Sequence, residues 1–168
     1  AYTVADAVVV GDVLMSLIRH ADRVTSASMA QLVNVIAPIA AEPQGPAWRK
    51  STFFPFATTS RLARGVALLV DVDAPTHVTA EHGEVPLVDA AATVDVDAGV
   101  AALFLVNRSQ VEEAEVSVDV SALGVGTVEE ALTLSDPDPY AANTSERPAR
   151  VGLRPNLQAT VADGTLRV

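Results

Sequence analysis

The hydrophobic period of the chain changes at Gly65, and that change limits it to architectures that join an α/β segment to an all-β one. Before Gly65, Val4, Val8, Val10, Val13, Leu14, Leu17 and Ile18 recur at helical spacing and trace a wide apolar face. Arg19, His20 and Arg23 follow at the C-terminal end, where positive charge complements the helix dipole. The spacing predicts a helix of about five turns. Val24 to Ile36 comes next. Its centre, Met29-Ala30-Gln31-Leu32-Val33, lacks alternation and reads as a buried strand of a parallel sheet covered on both faces. Ala37 to Lys50 is broken by Pro38, Pro43, Gly45 and Pro46 and reads as a long loop, a length that inside compact domains tends to carry function. Ser51 or Thr52 can cap a second helix through Arg64, with Pro55 in its first turn and Gly65 just past its end.

Beyond Gly65 short valine-rich runs alternate with turn residues, as in an antiparallel sandwich or jelly roll. The predicted strands are Val66–Val72, His77–Glu81, Thr93–Asp97, Ala101–Asn107, Glu113–Val120, Thr127–Leu134, Arg150–Leu153 and Ala159–Val161, with Gly164 at a turn. Ser135 through Pro148 is a loop by composition. The fold class is therefore α/β up to Gly65 and all-β after it.

Composition narrows the function. The 168 residues carry 11 basic and 21 acidic side chains, a net charge of −10, which disfavours an electrostatic grip on nucleic acid or on an anionic membrane. There is no cysteine, so disulfide frameworks, thiolate zinc sites and cysteine nucleophiles are excluded together. No apolar run approaches the roughly 20 residues of a membrane span. The first residues lack a secretion signal's positive start, and a reducing, cytoplasmic setting is expected.

Most chemical signals have ordinary explanations. Asp71/Asp73 and Asp95/Asp97 share the solvated face of a strand at spacing two, and Asp95-Val96-Asp97-Ala98-Gly99 lacks the remaining ligands of a calcium loop and reads as a turn. His77 and His82, five apart, fall on opposite faces of a regular strand, so a metal site is not expected. Asn107-Arg108-Ser109 and Asn143-Thr144-Ser145 fit the glycosylation pattern by coincidence. One region differs. Gln31 and Asn34, followed by Trp48-Arg49 on the long loop, combine amides with an aromatic platform, a combination that holds neutral sugars. The same residues equally fit an amide that satisfies buried backbone and a tryptophan that closes an interface. Four of the seven aromatic residues, Trp48, Phe53, Phe54 and Phe56, fall within nine positions; the phenylalanines open the second helix and are read as packing.

Leu17-Ile18-Arg19-His20-Ala21-Asp22-Arg23-Val24, Ala30-Gln31-Leu32-Val33-Asn34-Val35-Ile36-Ala37-Pro38-Ile39, Gly45-Pro46-Ala47-Trp48-Arg49, Phe54-Pro55-Phe56 and Ser60-Arg61 closely resemble the C-terminal part of family 51 glycoside hydrolases, the α-L-arabinofuranosidases. Val106-Asn107-Arg108-Ser109 and Asn143-Thr144 through Pro148 and Val151 are similar to that family's terminal β-domain. The resemblance implies that residues 1–65 are the last segments of a (β/α)8 barrel (helix, strand eight, loop, helix) and that residues 66–168 are a jelly-roll-like β-sandwich lacking its last strand. It implies a retaining, exo-acting hydrolase of terminal α-L-arabinofuranosyl groups in arabinan, arabinoxylan or arabino-oligosaccharides. Its two catalytic glutamates would precede residue 1, so the chain alone is expected to be inactive. Gln31, Asn34 and Trp48 are the expected substrate-binding residues, no cofactor or metal is implied, and homo-oligomers are common in the family. The competing expectation is a non-catalytic β-sandwich module for carbohydrate binding or assembly.

Overall fold

The computed structural model describes residues 1–168 and is mostly β, with two helices and small antiparallel sheets. In chain order the elements are α1 (Val4–Arg19), β1 (Ile39–Ala41), β2 (Ala47–Arg49), α2 (Phe53–Leu62), β3 (Val66–Leu68), β4 (Thr76–Thr79), β5 (Gly83–Pro86), β6 (Val88–Asp95), β7 (Val100–Asn107) and β8 (Ser117–Asp119). A 3₁₀ turn (Ser121–Leu123) precedes β9 (Leu132–Thr133), β10 (Arg154–Pro155), β11 (Thr160–Ala162) and β12 (Thr165–Arg167).

Helix α1 starts where its sequence directs. The Thr3 hydroxyl accepts from the Asp6 N–H while the Asp6 carboxylate accepts from the Thr3 N–H at 2.7 Å, a reciprocal capping box that satisfies two orphan donors. The helix buries Val4, Ala7, Leu14 and Met15 and ends at Arg19, a turn earlier than the basic residues predict. It packs across β6 and β7. Ala90, Ala91 and Ala92 lie buried in β6, alternating between its two faces, and the small side chains on the face toward α1 let the helix approach closely. That alanine run has low strand propensity and no alternation, so the sequence pattern finds only the strand's end at Thr93–Asp95.

Strand β6 is the centre of the sheet β3-β6-β7, paired with β7 from Val88↔Asn107 to Asp95↔Val100. Asp95–Gly99 is the turn expected: the Ala98 N–H donates to the Asp95 carboxylate at 3.0 Å, and Gly99 takes φ +66°. The other sheets are β1-β2, β4-β5, β10-β9 and β11-β12-β8. Asp163 and Gly164, both at positive φ, make the two-residue turn that joins β11 to β12, the pair of left-handed residues that a type I′ hairpin needs. Strand β12, absent from the sequence reading, fills the position between β11 and β8.

The expected strand over Val24–Ile36 does not form. Apart from one isolated bridge between Val33 and Ile39, the segment has no ladder, and every residue from Gln31 to Ile36 is exposed. A parallel strand takes its hydrogen bonds from neighbours on each side, and no other segment of this chain supplies them. The loop predicted over Ala37–Lys50 contains the hairpin β1–β2, its prolines confined to the flank and the turn. Helix α2 begins at Phe53 behind Thr52, whose buried hydroxyl makes no capping bond.

The start of α1 is anchored in the later half of the chain. Val4 shares a buried cluster with Ala141 and Val151, and its N–H donates to the Ala141 carbonyl at 2.9 Å. The Ser51 hydroxyl donates to the Thr3 carbonyl at 2.6 Å.

Candidate functional site

The segment Ala30–Ala37 and the hairpin that follows it form the candidate site. Gln31, Asn34 and Val35 have φ of 58°, 64° and 41°. For asparagine the left-handed region is a mild preference, but for β-branched valine it is an outlier that costs on the order of 1–3 kcal/mol and persists only when its surroundings fix it. Such strain concentrates at functional sites.

The surroundings do fix it. The Asn34 N–H donates to the Ile39 carbonyl at 2.8 Å, and the Ala37 N–H donates to the Asn34 carbonyl at 2.7 Å. The Asn34 side-chain oxygen accepts from the Ala41 N–H at 2.8 Å. In addition, the Tyr2 hydroxyl donates to the Ile36 carbonyl at 3.2 Å and the Lys50 ammonium donates to the Val35 carbonyl at 3.0 Å.

Of the three sequence-derived candidates, Gln31 stands exposed on this segment with its amide unengaged by the rest of the chain. Asn34 follows three residues later, with the oxygen of its side-chain amide committed to the hairpin. Trp48 is on the hairpin but apart from both amides. It is half-buried on β2, opposite Ala40, and its indole N–H donates to the Asn143 carbonyl at 3.1 Å. Its ring borders a cleft of ≈ 890 Å³ between the hairpin, α2 and residues 148–154, and neither Gln31 nor Asn34 lines that cleft. Phe53 and Phe54 meet edge to face at 5.7 Å between centroids in the cleft wall, and the Arg49 guanidinium sits 4.8 Å over Phe53.

The structural roles of two supports are not legible in the sequence. Asn143 is 2 % exposed: its amide donates to the Arg49 and Val151 carbonyls at 2.9 and 2.8 Å and accepts from the Val151 N–H at 2.7 Å. These bonds tie the end of the hairpin to the 143–151 stretch and leave no room for a glycan. The second is a charge cluster under α1. Asp12 and Arg19, two turns apart, share one helix face. Arg19 donates both guanidinium ends to Asp89 at 3.0 and 2.9 Å, and Arg108 bridges Asp12 at 2.7 Å to Asp89 at 2.8 Å. Burial works to raise the Asp89 carboxyl, and the Arg19 hydrogen bonds and the Ala90 N–H outweigh it, so the group lies below the ordinary aspartate range. The opposed charges seven residues apart on a helix are the signal that could have found this cluster.

Of the other displaced carboxylates, Asp119 ends β8 and Asp136 lies in the irregular segment after β9. The Ser121 hydroxyl and N–H hold Asp119 low, and Arg150 holds Asp136 low. His77 lies in β4 opposite Val85, and His82 is in the turn to β5.

A family model described as the alpha-L-arabinofuranosidase C-terminal domain matches residues 1–168. The chain is 49% identical over 165 residues to an intracellular exo-α-(1→5)-L-arabinofuranosidase of Streptomyces lividans, covering 98% of this chain and 25% of the relative. It is 45% identical to an exo-α-(1→6)-L-arabinofuranosidase of Bifidobacterium longum, covering 99% of this chain and 32% of the relative. A solved structure of a family 51 α-L-arabinofuranosidase from Bifidobacterium longum superposes with a TM-score of 0.93 at 44% identity, over 99% of this chain and 33% of that one. The chain thus spans about a quarter to a third of the length of the curated relatives it matches.

Proposed function

Because this chain belongs to the C-terminal domain family of the family 51 α-L-arabinofuranosidases, we propose that it is the C-terminal part of a retaining, exo-acting hydrolase of terminal α-L-arabinofuranosyl groups. Its substrates are arabinan, arabinoxylan or arabino-oligosaccharides, and the setting is intracellular, as the relatives' names suggest. The match along the whole chain carries the reading.

Residues 1–65 are then the last part of a (β/α)8 barrel and residues 66–168 a jelly-roll-like sandwich. The exposed surface supports this. The chain presents 11050 Å² to solvent. A compact monomer of its mass presents about 7,900 Å² by the usual scaling. Leu32, Val33, Val35 and Ile36, all at least 43% exposed, contribute to the excess, and barrel segments from the rest of the protein would cover them.

Barrel enzymes react at the C-terminal ends of their strands, where the loop carrying Gln31 and Asn34 would lie. Gln31 hydrogen-bonds the arabinose, Asn34 holds the loop, and Trp48 locks the hairpin that frames it. Retention proceeds by double displacement, and the nucleophile and the acid/base are carboxylates on the remainder of the protein, about 5–5.5 Å apart. One carboxylate attacks the anomeric carbon as the other protonates the departing oxygen; water, deprotonated by that second group, then releases arabinose.

The test is an assay of the full-length protein and of the chain alone on an aryl α-L-arabinofuranoside. The full-length protein releases arabinose with retained configuration, and the chain alone does not turn over. Turnover by the chain alone would overturn the placement of both carboxylates, and an inactive full-length protein that still binds arabino-oligosaccharides would favour the binding-module reading.

A further inference from the structure

We infer that Lys50 is a positioning residue for the proposed hydrolysis, holding the Gln31 loop in its strained shape with Tyr2 as its partner; the inference rests on the reading of Gln31 as the sugar contact. Three observations converge on it. Lys50 is 9% exposed, and its ammonium pairs with no carboxylate of this chain. Taking an ammonium out of water is costly unless its hydrogen bonds are replaced. Its hydrogen-bond acceptor within the chain is the carbonyl of Val35, the residue with the least favourable backbone conformation in the loop. The charge also sits 5.2 Å over the Tyr2 ring, and the Tyr2 hydroxyl takes the next carbonyl, that of Ile36. Two consecutive carbonyls of one strained turn are thus held by a buried cation and by the hydroxyl of the tyrosine whose ring that cation faces.

The anchor point is rigid. The Lys50 N–H donates to the Pro38 carbonyl at 2.8 Å, and the Phe53 N–H at the start of α2 donates to the Lys50 carbonyl at 3.1 Å. Lys50 therefore links the first residues of α2 to the turn four residues beyond Gln31. A left-handed valine relaxes when its carbonyl is released, and relaxation there swings the neighbouring Asn34 and Gln31. Catalysis is sensitive to such movement, since a misplacement of about 1 Å can cost roughly 100-fold in rate.

A double-mutant cycle in the full-length protein tests this, with kcat and KM on an aryl α-L-arabinofuranoside and the melting temperature measured for Lys50→Met, Gln31→Ala and the pair. Lys50→Met is expected to lower kcat/KM about 10-fold with a melting temperature within a few degrees of wild type, and to add less than about 2-fold in the Gln31→Ala background. Lys50→Arg, which keeps a charged donor, restores most of the loss. Unchanged kcat/KM in Lys50→Met, or losses that multiply fully in the double mutant, overturns the inference while leaving Gln31 in place. A silent Gln31→Ala instead overturns the reading of Gln31, and the inference with it. If Lys50→Met does not fold, Tyr2→Phe removes only the hydroxyl bond to Ile36, and coupling or additivity with Gln31→Ala decides in the same way.

Discussion

Strand β7 and the segment Ala30–Ala37 are both eight residues long and both dominated by aliphatic side chains, yet one is a complete ladder member and the other has a single bridge. Val100–Asn107 has a partner within the chain: eight residue pairs align it with β6, and α1 covers the sheet. Leu32, Val33, Val35 and Ile36 have no such partner and stand in solvent. Hydrophobicity creates the need for cover, but pairing decides whether an apolar run becomes a strand. The first region is built for stability. The second keeps a strained shape and an unengaged amide, the features expected of a binding segment whose cover comes from outside it.

Substitutions sharpen the contrast when stability and activity are read separately in the full-length protein. The largest loss of stability is expected at Gly65, which sits at φ +76° and whose added Cβ would fall 2.0 Å from the Val94 carbonyl oxygen in β6. Gly65→Ala should cost about 3 kcal/mol or more in denaturant unfolding. A cost under about 1 kcal/mol would mean that the backbone of β6 yields easily where Gly65 packs against it. Next comes Asp89→Asn, which strips the charge from the cluster joining α1 to β6 and should cost about 2 kcal/mol at neutral pH. Because Asp89 titrates below its ordinary value of 3.8 when folded, its contribution is complete above that value and is lost as pH falls through the lower folded value. Wild type should therefore lose the stability advantage over Asp89→Asn on acidification below about pH 4. A difference that stays constant down to pH 2 would show that the charge is not what holds the helix.

Much of the covered region was legible in the sequence. Helix α1 announces itself by its period, and Asp95–Gly99 and Gly164 by turn chemistry. Strand β6 was legible only at its end, since the buried run Ala90–Ala92 suits close packing on both faces of the strand rather than strand propensity. The candidate site was legible in a different sense. The Gln31 block names a family through its resemblance, while periodicity alone misread it as a buried strand, because an aliphatic run carries no information about where its partners come from. The supporting roles of Asn143, Lys50 and Tyr2 were not legible, because each donates to a backbone carbonyl far along the chain, 94, 15 and 34 residues away, which no local pattern encodes.

The smallest expected effect on stability belongs to Gln31, whose exposed amide is the proposed contact with the sugar. Gln31→Ala in the full-length protein removes an exposed side chain, so its unfolding free energy should stay within about 0.5 kcal/mol of wild type. Its kcat/KM on an aryl α-L-arabinofuranoside should fall by the equivalent of about 2–4 kcal/mol, roughly 30- to 1,000-fold, as for the loss of one preorganised hydrogen bond to the transition state. An unchanged kcat/KM would contradict the account and leave Gln31 a surface amide with no part in the chemistry.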